Sequence, residues 1–402
     1  MEALQRSAAA ADLPLTETDA PLAEVKADPP LAEVEAFLAR AKPSCTLYVY
    51  PHSEHVSQIY AGFYALRESG SLTVRQAFDP AELRRRLAGT AIDCKSFDDS
   101  LHGLLVGIDG AGLVFFDVRD GGSYRREILD EVAVYAKRSF HRGAPGPNAS
   151  RAVPLGVNYP VYLDRATGLE LVKALRQLDN SKRSVKRFCY SLARLVPSLG
   201  RALDLPIVGS LAAPPDRPAP PRAVFLARTW DPAELPGMPR PDIDELNDMR
   251  AACIRLLRKR FGERFFGGLA RSAHALANHP DCVVDADTST RRRDYLQRLR
   301  GYSICVATTG LSDSTGWKFA EYLAFGKAIV CEPMKFELPG PIAAGRNFLE
   351  FTTPEACAAR VGELFEGDAA RERMMADNAA YFAEFGAPGA VVARTLYAAL
   401  KI

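Results

Sequence analysis

The chain has 402 residues, of which 48% are hydrophobic and 25% are charged. These proportions are typical of soluble globular proteins, and the length exceeds what one ordinary core accommodates, so we expect at least two domains. The formal charge of +2, from 51 basic and 49 acidic residues, gives no global field for nucleic acid, and no apolar run approaches the roughly 20 residues of a membrane span.

The eight cysteines are scattered along the chain, and no two of them form a C-x-x-C pair. This spacing argues against zinc ribbons and disulfide scaffolds and fits thiols that are kept reduced. The first residues have no basic end followed by an apolar core, so we expect no secretory signal. We therefore expect a cytoplasmic protein with no resident metal and no cofactor.

Residues 1–42 have the composition of a flexible extension. The segment is rich in Ala, Pro and acidic residues, which is typical of disorder. A short repeat occurs at 21–27 and 30–36, and the second copy has an apolar helical face. The residues of that face are Leu31, Val34, Phe37 and Leu38. A flexible acidic extension and a docked helix are therefore both open.

Residues 43–211 predict a first α/β domain. Short apolar segments rich in Val, Phe and Tyr are typical of strands, and helical segments at 58–68 and 81–87 alternate with them. The predicted strands are 46–50, 72–78, 104–108, 113–118 and 132–136. Residues 109–112 separate two of these strands and predict a hairpin turn.

The apolar period predicts one long helical stretch over 171–201, which carries eight Lys or Arg residues against one Asp. One face of its second half is apolar and consists of Val185, Phe188, Cys189, Leu192 and Val196. Two interpretations are open: a solvated basic face beside a cleft, or peripheral contact of 182–194 with an anionic membrane. Nucleic acid is not an expected partner, because aromatic residues are few in this segment.

Residues 212–222 are rich in proline and predict a linker. The α/β pattern restarts at 223 and continues to 402. Its predicted strands are 223–227, 282–284, 303–307, 328–331 and 348–351, and its predicted helices are 243–260, 317–324, 354–365, 369–385 and 389–400. Strand–helix–strand order with short connections predicts a parallel sheet covered on both faces. The expected architecture is two Rossmann-like α/β domains facing a cleft, with C-terminal helices that close the second domain and a last helix able to pack back on the first.

The most informative stretch is 301–330, which predicts a buried strand, a loop rich in Gly, Ser and Thr, a helix and another buried strand. A helix that begins just after a strand's carboxyl end directs its free N–H groups into the crevice, where a phosphate or diphosphate binds. Asp313 and Glu321 lie eight positions apart and could hold vicinal hydroxyls, and Lys318 could meet the phosphates. The alternative is an ordinary βαβ unit with a solvated Glu321.

This stretch resembles the C-terminal half of GT-B glycosyltransferases related to the glycosyl transferase group 1 families. Their E-x7-E element reads Asp313-x7-Glu321 here, and the glycine–lysine and strand that follow it are at 326–330. The resemblance covers about 222–390 and implies that Glu321 holds the nucleotide ribose. Asp313, one methylene shorter than the family's Glu, takes the position that contacts the donor sugar. Val224–Arg228 matches the strand that opens this half, which implies a diphosphate contact for Arg228.

The resemblance implies a donor site that contains Arg228, Gly310, Asp313, Ser314, Thr315, Gly316, Lys318 and Glu321. The activity it implies is metal-independent, retaining transfer of a sugar from a nucleotide-diphosphate sugar to a glycan, lipid-linked or protein acceptor. Two alternatives are open: a non-catalytic protein that binds nucleotide sugars, and another GT-B enzyme such as a sugar-nucleotide epimerase.

Candidate residues of the first domain are weaker. His102, Asp117 and Asp120 lie at predicted strand ends and are candidates for the acceptor side, although none is identified as a base. Lys137 and Arg138 follow another strand and resemble an anion contact, with surface charge as the alternative.

Two further patterns have the spacing of metal ligands. Asp285 and Asp287 follow a predicted strand, as a D-x-D metal element does, with a polar loop as the alternative. His52 and His55 could share a helical face, but no third ligand is visible.

Overall fold

The computed structural model describes residues 28–401 except for 52, 98–100, 143–146, 180, 197–198, 200–204, 212–219 and 290. Two sheets, each flanked by helices, form two α/β domains, and the predicted fold class is confirmed. Residues 212–219 of the predicted linker lie outside the described residues, as do 1–27 and His52.

The first sheet is mixed, with one reversed strand. Its strands are β1 (Ser44–Tyr48), β2 (Thr73–Ala77), β3 (Gly103–Ile108), β4 (Gly112–Asp117), β5 (Val134–Lys137) and β6 (Ala152–Pro154). They lie in the order β2-β1-β3-β4-β5-β6, and β3 alone is antiparallel to both of its neighbours. The predicted hairpin between β3 and β4 is therefore confirmed.

Seven helices are described around this sheet and the segment that follows it. They are α1 (Leu31–Ala41), α2 (Ser57–Glu68), α3 (Pro80–Leu87), α4 (Arg126–Leu129), α5 (Gly168–Arg176), α6 (Lys182–Ala193) and α7 (Val208–Leu211).

The second sheet is parallel throughout. Its strands are β7 (Ala223–Ala227), β8 (Phe265–Leu269), β9 (Ile304–Ala307), β10 (Ala328–Cys331) and β11 (Phe348–Glu350), in the order β11-β10-β9-β7-β8. Buried side chains cover both of its faces, which is why its strands are nearly continuous apolar runs. The flanking helices are α8 (Arg240–Phe261), α9 (Ala273–Asn278), α10 (Arg292–Leu299), α11 (Trp317–Ala324), α12 (Pro354–Glu366), α13 (Asp368–Tyr381) and α14 (Pro388–Lys401).

The C-terminal helix belongs spatially to the first domain. A π-helical turn, Phe382–Gly386, follows α13, and α14 then packs along α2. The two helices approach so closely that a Cβ on Gly62 would lie 2.2 Å from the carbonyl oxygen of Pro388. The end of the chain therefore ties the second domain to the core of the first.

Two interpretations of the N-terminal segment were open, and residues 31–41 form the docked helix. Val34 and Leu38 of α1 are fully buried, and the ring of Phe37 meets that of Tyr397 on α14 at 5.1 Å.

Two elements of the sequence prediction are wrong. The strand predicted at 282–284 is a 3-10 turn, Pro280–Cys282, followed by an isolated bridge, and the sheet's edge strand is β8. Two glycines weaken the strand pattern of β8. A side chain does not fit at Gly267, because a Cβ there would lie 2.5 Å from the Phe225 carbonyl oxygen of β7.

The stretch predicted as one helix over 171–201 is instead the hairpin of α5 and α6. Ser181 caps α6 by accepting from the Ser184 N–H, and the Asp179 carboxylate accepts from the Ser181 N–H. These side chains compete with the helix for backbone donors and end it.

Candidate active site at the domain cleft

The carboxyl ends of strands from both sheets meet at one cleft. After β5, the Arg138 guanidinium donates from Nη2 to the Thr315 carbonyl oxygen at 2.8 Å, in the loop that follows β9. Nearby, the Glu337 N–H donates to the Phe140 carbonyl oxygen at 2.9 Å. The cleft lies where ligands of α/β folds usually bind.

The loop between β9 and α11 has an unusual backbone. Ser312 and Asp313 are consecutive non-glycine residues with positive φ, 53° and 56°, a conformation that is uncommon outside glycine and recurs at functional sites. Gly310 donates its N–H to the Ser314 carbonyl oxygen at 2.8 Å, and a Cβ on Gly310 would lie 2.7 Å from Ser314 Oγ. Ser314 is buried, and the loop is tightly folded on itself.

Asp313 and Glu321 do not share a helical face. Asp313 is exposed in the 3-10 turn Leu311–Asp313, and the helix begins only at Trp317, so the eight-residue spacing is mostly not helical. Gly316 is the N-cap of α11 and offers no side-chain cap. Phe319 N–H donates to the Gly316 carbonyl oxygen at 3.1 Å. The first N–H groups of an α-helix have no partner one turn earlier in the helix, and they lie at the positive end of the helix dipole.

Lys318 lies in the first turn of α11. Its ammonium group donates to the Leu226 carbonyl oxygen at the end of β7 and lies 5.0 Å from the centre of the Tyr295 ring. Burial lowers the pKa of Lys318 to about 8, and the charges of Arg250, Arg228 and Arg292 act in the same direction, whereas Glu321 opposes them. An anion bound beside Lys318 would favour its charged form and raise its pKa.

Arg228 follows β7 directly, and its side chain is exposed. The guanidinium carbon lies 3.2 Å from the centre of the Trp230 ring. Stacking on the indole holds the guanidinium in one orientation while leaving its N–H donors available.

Glu321 is buried, with 2% exposure. Its Oε1 lies 2.5 Å from Arg292 Nη2, and Arg292 also donates to the Pro160 carbonyl oxygen at 3.4 Å. Burial raises the pKa of Glu321 above its usual value, and the charges of Arg292 and Lys318 partly offset this rise. The alternative of a solvated Glu321 is therefore wrong, and a ribose at this carboxylate would have to share it with Arg292.

Sequence reasoning missed Arg250, which supports the loop from below. Its guanidinium donates to the Arg228 carbonyl oxygen at 2.7 Å, the Thr309 carbonyl oxygen at 2.8 Å and the Thr308 hydroxyl at 2.9 Å. The Glu332 carboxylate accepts from the Thr309 N–H at 2.6 Å. The available signal was an arginine on the buried face of α8, in helical register with Ile243, Ile254 and Leu257.

The first domain contributes two imidazoles and a carboxylate to the cleft. The His55 ring packs against the Trp317 ring of α11 at 4.8 Å and against the His102 ring at 5.6 Å. His102 has a φ of 45°, and its Nδ1 lies 2.9 Å from the Ser53 hydroxyl. Asp120 accepts from Arg138 at 2.5 Å.

His55 also contacts both sides of the cleft. Burial lowers its pKa to about 4; Arg138 and His102 act in the same direction, and Asp120 opposes them. Its Nδ1 is buried and meets no hydrogen-bond partner among the described residues. The ring is therefore neutral at neutral pH and carries an open polar atom.

Asp117 and Lys137 lie in the core instead of on the cleft surface. Both side chains have 0% exposure. Asp117 accepts from the Tyr135 hydroxyl at 2.5 Å and from Arg119 Nη2 at 2.8 Å, and Lys137 Nζ lies 3.5 Å from it. Although burial alone would raise it, the pKa of Asp117 is well below its usual range because of Lys137 and Arg119. These two residues hold the ends of β4 and β5 together, and Arg138, at 4% exposure, is not a surface charge either.

The D-x-D pattern falls on the surface. Asp285 and Asp287 are both exposed in a turn where Thr288 N–H donates to the Asp285 carbonyl oxygen at 2.9 Å. Within the described part of the chain, no group of three or more His, Cys, Asp or Glu side chains could hold a metal ion. No described helix is both long and apolar enough to cross a bilayer.

Comparison with known proteins gives structural matches only. No protein-family model matches the chain, and a search of curated proteins gives no match. Among solved structures, an α1,3-fucosyltransferase matches with a TM-score of 0.41 and 10% identity, over 90% of this chain and 92% of that one.

Two further matches are a domain described as a glycosyl transferase and a protein in complex with a nucleotide. The C-terminal domain of a glycosyl transferase group 1 family protein, LpcC from Francisella tularensis, matches at TM-score 0.29 and 10% identity, over 40% of this chain and 84% of that domain. Anabaena HepE, in complex with UDP and glucose, matches at 0.35 and 12%, over 67% of this chain and 64% of that one, just under two thirds of its length. Since every one of these TM-scores is below 0.5, function is inferred from the residues of the chain itself.

Proposed function

We propose that the chain is a glycosyltransferase that moves a sugar from a nucleotide-diphosphate sugar to an acceptor bound in the cleft. The second domain binds the donor at the amino end of α11, and the first domain presents the acceptor from the opposite wall.

The observation that carries this proposal is the convergence of cations on one helix end. Three arginines lie close enough to Lys318 that the charge of each lowers its pKa: Arg228, Arg250 and Arg292. Three carboxylates act against these charges among the described residues: Glu234 on Arg228, Glu332 on Arg250 and Glu321 on Lys318. The four cations therefore outnumber the carboxylates by one, and together with the amino end of α11 they suit a bound diphosphate.

The same groups suit the chemistry of transfer. When the glycosidic bond to the diphosphate breaks, negative charge develops on the leaving phosphate oxygen, and fixed cations stabilise it without reorganising. We therefore propose that transfer is metal-independent. Glu321 would hold the ribose beside Arg292, and Asp313 would contact the sugar from the loop.

On the acceptor side, His55 and His102 lie opposite the start of α11. A hydroxyl of a glycan, a lipid-linked sugar or a protein would approach the donor beside these two rings. We propose retention of the anomeric configuration, which NMR of the product tests: an inverted anomer overturns that part alone.

The experiment is a release assay with UDP-, GDP-, ADP- and dTDP-linked sugars, with and without a mixture of oligosaccharide and lipid acceptors, and with and without EDTA. We expect one nucleoside diphosphate to be released with EDTA present. Arg228→Ala should abolish most of the release. Arg240→Ala is the matched control, because the side chain of Arg240 is 80% exposed and pairs with Asp244 on its own helix.

Nucleotide binding without release from any donor would favour the alternative of a non-catalytic binding protein. Release that is unchanged in Arg228→Ala would contradict the placement of the donor.

A further inference from the structure

The α5–α6 hairpin has its apolar side turned outward. Nine large hydrophobic side chains are exposed in the described part of the chain, and eight of them lie between 172 and 199. They are Val172, Leu175, Leu178, Val185, Leu192, Leu195, Val196 and Leu199, with exposures of 38–57%. On α6, Val185 and Leu192 share a stripe with Cys189, which is also exposed.

The polar side of the same helix faces inward. Arg187, Tyr190, Ser191 and Arg194 line a pocket between the hairpin and α2. Inside it, Arg194 forms a two-pronged ion pair with Glu170, at 2.5 and 3.0 Å. A surface helix of a water-soluble domain normally has the opposite orientation. These polar contacts hold the hairpin in this orientation and keep the apolar stripe on the outside.

The charges around the stripe indicate what covers it. Arg176, Lys182 and Lys186 are exposed beside it, and the exposed carboxylate on the hairpin is Asp179 at the turn. Asp179 is engaged in capping, since it accepts from Ser184 Oγ at 2.6 Å. An apolar stripe with a basic margin matches the headgroup and acyl boundary of an anionic bilayer. A second copy seated on the same face would bring like charges together.

We propose that the α5–α6 hairpin docks the protein on an anionic phospholipid membrane. Val185, Cys189 and Leu192 enter the interface, and Lys182 and Lys186 meet the lipid phosphates. The docking surface is separate from the donor residues, so its test does not depend on the proposed enzymatic activity.

Vesicle flotation tests the proposal directly. We expect the full chain to float with vesicles of phosphatidylcholine mixed with phosphatidylglycerol and not with phosphatidylcholine alone. Lys182→Glu combined with Lys186→Glu should weaken binding by about tenfold or more, and Val185→Asp combined with Leu192→Asp should abolish it. Leu276→Asp is the matched control and should float like the wild type, because Leu276 is the one exposed large hydrophobic side chain of the described residues outside 172–199.

A second measurement uses the exposed thiol. A polarity-sensitive dye on Cys189, in a Cys94→Ser background, should shift to the blue on mixed vesicles. Circular dichroism checks that each variant is folded. The proposal would be overturned if the wild type did not float, if both double variants floated as well as the wild type, or if the dye did not shift. A dimer that dissociates on Leu192→Asp, without flotation, would instead identify a second copy as the occupant.

Discussion

Arg138 of the first domain donates to the carbonyl oxygen of Thr315 in the second domain at 2.8 Å, and the same guanidinium donates to Asp120 at 2.5 Å. Because Arg138 is 4% exposed, this hydrogen bond is shielded from water. One side chain therefore joins the loop of the proposed donor site to the acceptor wall.

We expect Arg138→Met to destabilise the protein by roughly 2 kcal/mol, since it removes charge-assisted hydrogen bonds at a buried position. Denaturant unfolding measures the change. Arg142→Met is the control: Arg142 also pairs across the domains, with Glu337 at 2.6 Å, but its side chain is 51% exposed. That variant should lose less than about 1 kcal/mol. Equal losses in the two variants would contradict a special role for Arg138.

Nucleotide affinity should depend on pH through Lys318. Burial holds the pKa of the free lysine at about 8, and a bound diphosphate favours its charged form. Affinity for a nucleoside diphosphate should therefore be steady between pH 7 and 8 and fall above pH 8, by up to about tenfold per pH unit. Calorimetric titration at several pH values measures it. In Lys318→Met the affinity should be lower and nearly independent of pH, and a profile that keeps its slope would contradict the assignment.

His55 should make the protein sensitive to acid. The folded state holds this imidazole neutral with a pKa of about 4, whereas the unfolded chain takes up the proton near pH 6.5. The contribution of His55 is therefore fully present above about pH 6.5 and is lost as the pH falls toward 4. We expect His55→Gln to lose less stability than the wild type between pH 7 and 4.5. Parallel losses measured by urea unfolding would show that another group dominates.

The close approach of α2 and α14 predicts a strong effect at one glycine. A Cβ on Gly62 meets the Pro388 carbonyl oxygen at 2.2 Å and Val392 Cγ2 at 2.5 Å. Gly62→Ala should therefore cost roughly 1–3 kcal/mol. At Gly389, on α14, a Cβ meets nothing within 4 Å, so Gly389→Ala should be neutral or slightly stabilising. A neutral Gly62→Ala in thermal or urea unfolding would mean that the helices do not pack as described.

Much of the second domain could be predicted from local patterns. The bounds of α11 and β10 agree with the prediction because glycines punctuate the chain at 316 and 326 and every residue of β10 is buried. Strand β8 could not be recognised, because contacts with other segments require its two glycines: a Cβ on Gly267 would meet the Phe225 carbonyl oxygen of β7, and one on Gly268 would meet Val284 Cγ1. A local pattern of residues does not show these contacts.

The site was only partly visible in the sequence. The loop and Lys318 lie in one continuous stretch, so their proximity follows from the chain. The partnership of Glu321 with Arg292 and the support of the loop by Arg250 join separate helices, and nothing local marks the partners. Asp117 and Lys137 were placed wrongly, because charged residues at strand ends indicated a cleft surface. In the structure both are buried, and Asp117 pairs with Lys137 and Arg119.

Direct binding of nucleotides tests the central claim. Calorimetric titration of the wild type with UDP, GDP, ADP, dTDP and CMP should show binding of at least one diphosphate. Arg228→Ala should weaken that binding by about tenfold or more, because a charge-assisted phosphate contact contributes roughly 1.5–3 kcal/mol, and Arg240→Ala should leave it unchanged. No binding by folded protein, or equal binding by wild type and Arg228→Ala, would contradict a diphosphate site at the start of α11.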